Sequence, residues 1–389
     1  MQKHNRLKKK ILIRIGSLRH GGAEKVLVTF LKNLPKDKYE IDLLLNLHSG
    51  KYLKEVPSWV NILYLNKGEM ITTNRIQDLP IKAFRVLYQK ILKLFPQILY
   101  QFILKGKKYD IEFAAIHGMR DEILNSPLKF SKKLIWIHSD LEIATTYNNT
   151  KYELQKFFKF DKIMTISNKI QTNFKKIACN SVELDKIVRI YNPIDTTYIN
   201  DLARVPISKK VLDSSIVTFI SVGTIYPAKG FDRLINLHKK LLNENFAHQL
   251  VIVGDGYDFE NLKKLIDDLK LTDTVKMLGY MENPYPYINA ADFYILSSRY
   301  EGFPTVLFEA ITLKKKIIAT DVSGVREMLE EGKLGLIVDN SEAGIYEGMR
   351  KALENPESFE TYEENLEDYK MPFNLENSVN SIIKIIDDL

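Results

Sequence analysis

The feature that most constrains this chain is a pattern that runs through about half its length and then starts again. Short, almost continuous apolar runs alternate with stretches of helical periodicity. Strands are predicted at 11–16, 40–47, 61–65, 110–116, 134–138, 162–166 and 187–191. Runs without polar alternation are what strands buried on both faces require. Tyr191-Asn192-Pro193-Ile194-Asp195 interrupts the pattern, and proline there punctuates the chain. The alternation then resumes, with strands predicted at 217–222, 250–253, 275–278, 293–297, 316–320 and 334–338. Between the first two of these, Phe231, Leu234, Ile235, His238, Leu241 and Leu242 fall on one face of a helix predicted from Phe231 to about Asn243. Strand, helix, strand with glycines at the strand ends predicts parallel sheets covered on both faces.

The expected fold is α/β: two Rossmann-like, doubly wound domains facing each other across a cleft. They are predicted at 1–195 and 196–373, followed by a tail at 374–389. In the tail Leu375, Val379, Ile382, Ile386 and Leu389 recur at helical spacing. A final helix follows from that spacing. Whether it packs on its own domain or crosses back to the first is left open by the sequence.

Cys179 is the only cysteine among 389 residues. A disulfide framework and a cysteine-rich zinc site are thereby excluded, and a reducing, cytoplasmic setting is expected. The basic start at 1–10 is followed by only a short apolar run, Ile11-Leu12-Ile13, so no secretory leader is expected. No run of 18 apolar residues predicts a membrane-spanning helix. The net charge of +7 conceals an asymmetry: residues 1–195 carry +17 and residues 196–389 carry −10. The basic half is suited to anionic surfaces. No nucleic-acid-binding module is recognisable and the second half is acidic, so no nucleic-acid partner is expected.

Ligands of open parallel sheets sit at the C-terminal ends of the strands, and four loops there carry candidate chemistry. The first is Val222-Gly223-Thr224-Ile225-Tyr226-Pro227-Ala228-Lys229-Gly230. Its glycine permits close backbone approach and its lysine is a compact charge for a phosphate. The second is Gly254-Asp255-Gly256, which alone equally describes a tight turn. The third is Glu301-Gly302-Phe303-Pro304-Thr305-Val306-Leu307-Phe308-Glu309-Ala310. Pro304 suits the first turn of a helix. The N–H groups of Thr305, Val306 and Leu307 are then expected to be unpaired and able to face a diphosphate. Carboxylates such as Glu301 and Glu309 suit sugar hydroxyls, because they only accept hydrogen bonds when ionised. The fourth is Gly21-Gly22-Ala23-Glu24 in the first half, which also reads as a loop needing left-handed torsions.

Taken together these motifs resemble glycosyltransferase family 4, of the GT-B fold, over nearly the whole chain. Thr320-Asp321-Val322-Ser323-Gly324 and Gly335-Leu336-Ile337-Val338 add to the resemblance. It implies a retaining transfer of a hexosyl or N-acetylhexosaminyl unit from a nucleotide-diphosphate sugar, UDP- or GDP-linked, to a hydroxyl. It implies that Lys229 clamps the diphosphate and that Glu309 binds the ribose. Glu301 is implied to bind the donor sugar, and Gly302, Phe303, Pro304, Thr305 and Val306 to hold sugar and phosphates through the backbone. Gly21, Gly22, Gly223, Thr224, Gly254 and Gly256 are implied to approach the donor. His138 matches a histidine that faces the donor sugar, and His117 is its weaker rival. Catalysis is thus expected to rest on His138, Glu301 and Lys229. No cofactor or metal is expected, since lysine and a helix N-terminus can take a metal's place. One departure stands out: members commonly carry arginine after the first-loop glycine, where this chain has Thr224.

Residues 85–108 mix basic, aliphatic and aromatic side chains. Such a stretch either lies in a membrane interface or packs on its own domain with lysines outward. The first reading suits a peripheral enzyme at the inner membrane face that uses a lipid-linked saccharide acceptor in surface polysaccharide synthesis. Two alternatives stay open: a sugar-nucleotide epimerase on the same fold, and a non-catalytic sugar-nucleotide-binding relative.

Overall fold

The computed structural model describes residues 8–19, 21–68, 79–141, 151–207, 212–371 and 374–389. The chain forms two compact units. The first comprises Met1–Pro193 with Leu375–Leu389, and the second Ile194–Asn374.

In the first unit the described elements that matter for function are, in chain order, β1 (Lys9–Ile15), α1 (Gly22–Lys32), β2 (Tyr39–His48), β3 (Asn61–Lys67), α2 (Leu79–Leu94), β4 (Ile111–Ala114), α3 (Arg120–Leu124), β5 (Lys132–Ile137), β6 (Lys162–Thr165) and β7 (Ile187–Arg189). The seven strands form one parallel sheet in the order β3-β2-β1-β4-β5-β6-β7. Ile11, Leu12, Ile13 and Ile15 of β1 are all buried, as a central strand covered on both faces requires.

The second unit contains β8 (Val217–Val222), α4 (Phe231–Asn243), β9 (His248–Val253), β10 (Val275–Met277), β11 (Phe293–Leu296), α5 (Thr305–Thr312), β12 (Lys316–Thr320) and β13 (Leu336–Val338). Its six strands are again parallel, in the order β10-β9-β8-β11-β12-β13. Phe219, Ile235, Leu250, Phe293, Ile318 and Met349 belong to its core, and Phe359 closes one end with its ring edge-on to Phe293. Burial of each such large side chain contributes about 1.5–3 kcal/mol.

Both sheets reverse direction of growth between their first and fourth strands. That reversal opens a crevice at the strand C-termini, which is where ligands of such sheets bind. In the second unit the crevice lies between β8 and β11.

The last helix, α6 (Leu375–Asp388), belongs to the first unit. Val379, Ile382 and Ile386 are buried. Lys9 Nζ donates to the carbonyls of Ile386 (2.7 Å) and Asp387 (3.2 Å), where a cation meets the negative end of the helix. Tyr39 donates to Asp387 Oδ1 at 2.7 Å.

Candidate functional site

The loop after β8 begins at Gly223 and tightens into a 3-10 turn, Pro227–Lys229. Gly230, with φ of 68°, then turns the chain into α4. The loop after β11 runs from Ser297 to Pro304 and leads into α5. Because β8 and β11 are neighbours, these loops lie side by side, and hydrogen bonds lock them together. The Arg299 N–H donates to the Ala228 carbonyl at 2.7 Å, and Ser297 Oγ to the Lys229 carbonyl at 2.9 Å. Arg233, buried on the first turn of α4, donates to the carbonyls of Ser297 (2.9 and 2.6 Å) and Ser298 (2.9 Å). Arg299 grips Asp232 through two bonds of 2.7 Å and also donates to the Pro227 carbonyl at 2.6 Å. The site is therefore held rigidly before any ligand arrives.

Lys229 and Glu301 meet within this frame. Lys229 Nζ donates to Glu301 Oε1 at 2.5 Å, and Ser298 Oγ donates to the same oxygen at 2.7 Å. The side chains are 14% and 9% exposed. Burial by itself lowers the lysine's pKa, but the negative charge of Glu301, with Tyr226 a lesser cause and the Glu301 hydrogen bond added, outweighs it, and the value is raised. Lys229 is therefore a cation at any physiological pH. Glu309 lies buried on α5. Burial, with the charges of Glu309 and Glu301 added, holds the Tyr294 hydroxyl well above its ordinary pKa, which brings both glutamates into one neighbourhood.

The structure departs from the sequence reading at the start of α5. Pro304 precedes the helix instead of opening it, with extended torsions (φ −70°, ψ 92°). Leu307 N–H donates to the Pro304 carbonyl at 2.9 Å, so it is not available to a ligand. Among the described residues no backbone carbonyl accepts from Thr305 or Val306, and these two amides form the positive end of the helix. Phe303 is buried, its ring 5.2 Å from that of Phe308, so its side chain anchors the loop in the core.

Gly254 and Gly256 continue the β8–β9 pairing beyond the strands. Gly223 N–H donates to Val253 O and Ile225 N–H to Asp255 O, each at 3.0 Å. A Cβ on Gly254, whose φ is +148°, would stand 1.9 Å from Gly223 O, and one on Gly256 2.0 Å from Ile225 O. The close approach that these glycines permit is thus to the neighbouring loop. Thr224 is partly exposed beside Gly223.

In the first unit, Gly21 precedes α1 with φ of −81°, and neither Gly21 nor Gly22 has positive φ, so that loop needs no left-handed torsion. A Cβ on Gly21 would lie 2.0 Å from Glu24 Oε2, because that carboxylate folds back over the helix start. His138 follows β5 and His117 follows β4, at neighbouring strand ends. Burial, with the charge of His117 second, pushes the His138 pKa down to about 3, against a hydrogen bond with the Ala115 backbone that raises it. The His138 ring packs on Trp136 at 4.7 Å, and its Nε2 is buried with no hydrogen-bond partner among the described residues. It is a neutral imidazole at physiological pH.

Sequence reasoning did not find Ser298, Arg233, Arg299 or Tyr294. Arg233 and Arg299 act on loop geometry through carbonyls and Asp232, Ser298 through Glu301, and Tyr294 lies buried beneath; no local motif announces such roles.

Residues 207–368 match the family described as glycosyl transferases group 1. Over 362 residues the chain is 27% identical to the N-acetylgalactosamine-N,N'-diacetylbacillosaminyl-diphospho-undecaprenol 4-alpha-N-acetylgalactosaminyltransferase of Campylobacter jejuni, covering 91% of this chain and 92% of that one. The second unit thus carries a glycosyl transferases group 1 domain. An uncharacterized glycosyltransferase of Haemophilus influenzae is 25% identical over 90% of each chain. The solved structure of Anabaena HepE with UDP and glucose superposes with a TM-score of 0.74 at 16% identity, covering 98% of this chain and 100% of that one. The chain thus has the GT-B fold, two parallel sheets with covering helices. Among its described residues no helix is long and apolar enough to cross a membrane.

Proposed function

We propose that this glycosyltransferase is a retaining, family 4 enzyme. In this reading it moves a hexosyl or N-acetylhexosaminyl unit from a UDP- or GDP-sugar to a hydroxyl of a lipid-linked saccharide. The observation that carries the reading is the Lys229–Glu301 pair at the β8–β11 reversal, with Glu301 on the loop that leads into the N-terminus of α5. A cation and a helix N-terminus are each suited to a diphosphate. The charge that develops on the leaving diphosphate is stabilised by donors already in position, which is electrostatic preorganisation. Glu309 takes the ribose hydroxyls. Glu301, released from Lys229 as the phosphates take its place, accepts from the donor sugar. His138, neutral at working pH, offers a hydrogen bond and not a charge. No carboxylate is assigned as a nucleophile, because Glu301 is assigned to the hydroxyls of the donor sugar.

Two further observations support the acceptor. The Campylobacter relative is named for a diphospho-undecaprenol-linked substrate. On α2 only Leu92 is buried, while Ile81, Phe84, Val86, Leu87, Ile91 and Leu94 are exposed. Within 85–108, Leu92, Leu99, Tyr100 and Leu104 pack into the first unit's own core, as the packed alternative expects, while exposed apolar side chains remain on α2. An exposed apolar face flanked by Lys82, Arg85, Lys90 and Lys93 suits the interface of an anionic bilayer.

Thermal unfolding with UDP, GDP, ADP and their sugars tests the donor site. A ligand at 100 times its Kd stabilises by about 2.7 kcal/mol. Lys229→Ala and Glu309→Ala should each abolish that stabilisation. A shift that survives both variants would place the nucleotide elsewhere.

A further inference from the structure

A diphosphate carries several negative charges, and the loop after β8 meets it with one cation, Lys229. Thr224, beside Gly223, adds no charge. The same loop offers another donor on the same side. Ile225 is fully buried, and its N–H donates to Asp255 O at 3.0 Å, so the pairing of β8 with β9 runs on past the strands. Tyr226 is still extended, with φ −153° and ψ 159°. Alternate residues of an extended segment share a face. Thr224 and Tyr226, both partly exposed, therefore face one side while Ile225 faces the core.

The backbone of Tyr226 is fixed, because its carbonyl accepts the Lys229 N–H at 2.9 Å and so opens the turn that presents the lysine. The centroid of its ring lies 5.9 Å from Lys229 Nζ. Two more tyrosines border this turn. Tyr257 precedes Asp258, whose N–H donates to Ile225 O at 3.4 Å, and Tyr300 follows Arg299, whose N–H donates to Ala228 O at 2.7 Å. They are 78% and 51% exposed, so neither is held as Tyr226 is. Burial raises the pKa of the Tyr226 hydroxyl; the charge of Lys229 opposes it, Glu301 adds to it, and the balance is upward. The hydroxyl thus keeps its proton at physiological pH and can donate. Hydrogen bonds to an ionised acceptor such as phosphate are the strong ones.

We propose that the Tyr226 hydroxyl is a second donor to the diphosphate of the nucleotide sugar, serving the oxygens that a cation at position 224 would serve. The proposal rests on the donor-site reading of Lys229 and deepens it. A hydroxyl on a fixed backbone supplies direction where the loop lacks a second charge.

Isothermal titration of the full chain with UDP and GDP tests this. Tyr226→Phe keeps the ring and removes one oxygen. It should weaken the diphosphate that binds by about tenfold, as loss of a hydrogen bond to a charged group does. Its unfolding midpoint without nucleotide should match the wild type, because among the described residues the hydroxyl holds nothing in the protein. Tyr257→Phe and Tyr300→Phe should bind as the wild type does. Thr224→Arg completes a double-mutant cycle: if both side chains serve the same oxygens, the arginine gains more affinity in Tyr226→Phe than in the wild type. Wild-type affinity in Tyr226→Phe, or equal gains from Thr224→Arg in both backgrounds, overturns the proposal. If that happens while Lys229→Ala loses the nucleotide, the donor-site reading stands without it. If Lys229→Ala binds normally while Tyr226→Phe is weakened and the cycle holds, the role of the lysine falls and the hydroxyl contact stands. A wild type that binds neither diphosphate removes both.

Discussion

Neutralising Glu301 separates the two roles given to it. Glu301→Gln keeps the side-chain shape and an acceptor for Ser298, but removes the charge that balances Lys229. With the pair 14% and 9% exposed, the lysine becomes a largely buried cation among neutral groups. Removing one partner of a fully buried pair costs roughly 3–5 kcal/mol. Partial exposure and the remaining amide acceptor reduce this to about 1.5–3 kcal/mol, by the same comparison with surface pairs. A nucleoside diphosphate supplies the missing counter-charge, so that free energy returns as affinity. Recovery of only ~1.4 kcal/mol is a tenfold lower Kd. Glu301→Gln should therefore bind UDP or GDP without its sugar about tenfold more tightly than the wild type. It should also unfold earlier in the absence of nucleotide and transfer more slowly from the complete donor. Isothermal titration of the diphosphate, paired with thermal unfolding of the second unit, reads both effects. An unchanged or weaker Kd would refute the reasoning, because it would mean that Glu301 does not compete with phosphate for Lys229.

Gly254→Ala forces a Cβ to within 1.9 Å of Gly223 O at a left-handed φ of +148°, and should destabilise the second unit by more than ~2 kcal/mol; calorimetry should show only that unit's transition moving. Acid should weaken both units through buried histidines. His138 and His238 are each pushed down to about 3, in both cases chiefly by burial. The folded state therefore refuses a proton that the unfolded chain accepts below about 6.5, and stability present above that pH is lost as pH falls toward 3. The loss reaches about 2 kcal/mol per histidine at pH 5. NMR titration showing either ring protonating between pH 5 and 8 would contradict this. On α2, Phe84→Glu with Leu87→Glu should abolish sedimentation with anionic liposomes at low salt and leave nucleotide affinity unchanged; retained sedimentation would remove α2 from the membrane contact.

The fold was legible because strands buried on both faces write themselves as apolar runs, and all thirteen described strands fall on predicted ones within a few residues. The strand ends were legible as well, since Gly223, Gly254 and Gly256 mark them, and Gly230 marks the start of α4. The reason for those glycines was not. A sequence shows that a backbone can be approached closely, but not that the approaching group is the carbonyl of the next loop. The start of α5 was misjudged by one residue because proline fits both the first helical position and the residue before it, and only the Leu307–Pro304 hydrogen bond decides between them. The buried chain His248–His238–Thr274, with bonds of 2.8 and 2.9 Å, was invisible for another reason. His238 looked like one more member of an apolar helix face, and its partner is ten residues away on β9.

The lock between Lys229 and Glu301 also bears on Thr224. An arginine at that position would bring a second cation to the diphosphate. The other basic side chains flanking the loop cannot replace it without dismantling the frame: Arg299 is bound to Asp232, and Arg233 to the carbonyls of Ser297 and Ser298. With one lysine to share, more of the phosphate's charge falls to the amides of Thr305 and Val306. Amides stabilise charge only where the backbone already holds them, and their aim depends on the Gly302–Pro304 segment. That segment is pinned by Phe303, whose ring is so closely packed that a Cβ on Gly324 would stand 2.5 Å from it. The loss of a charge at position 224 thus shifts the demand for precision onto a buried phenylalanine that touches no ligand.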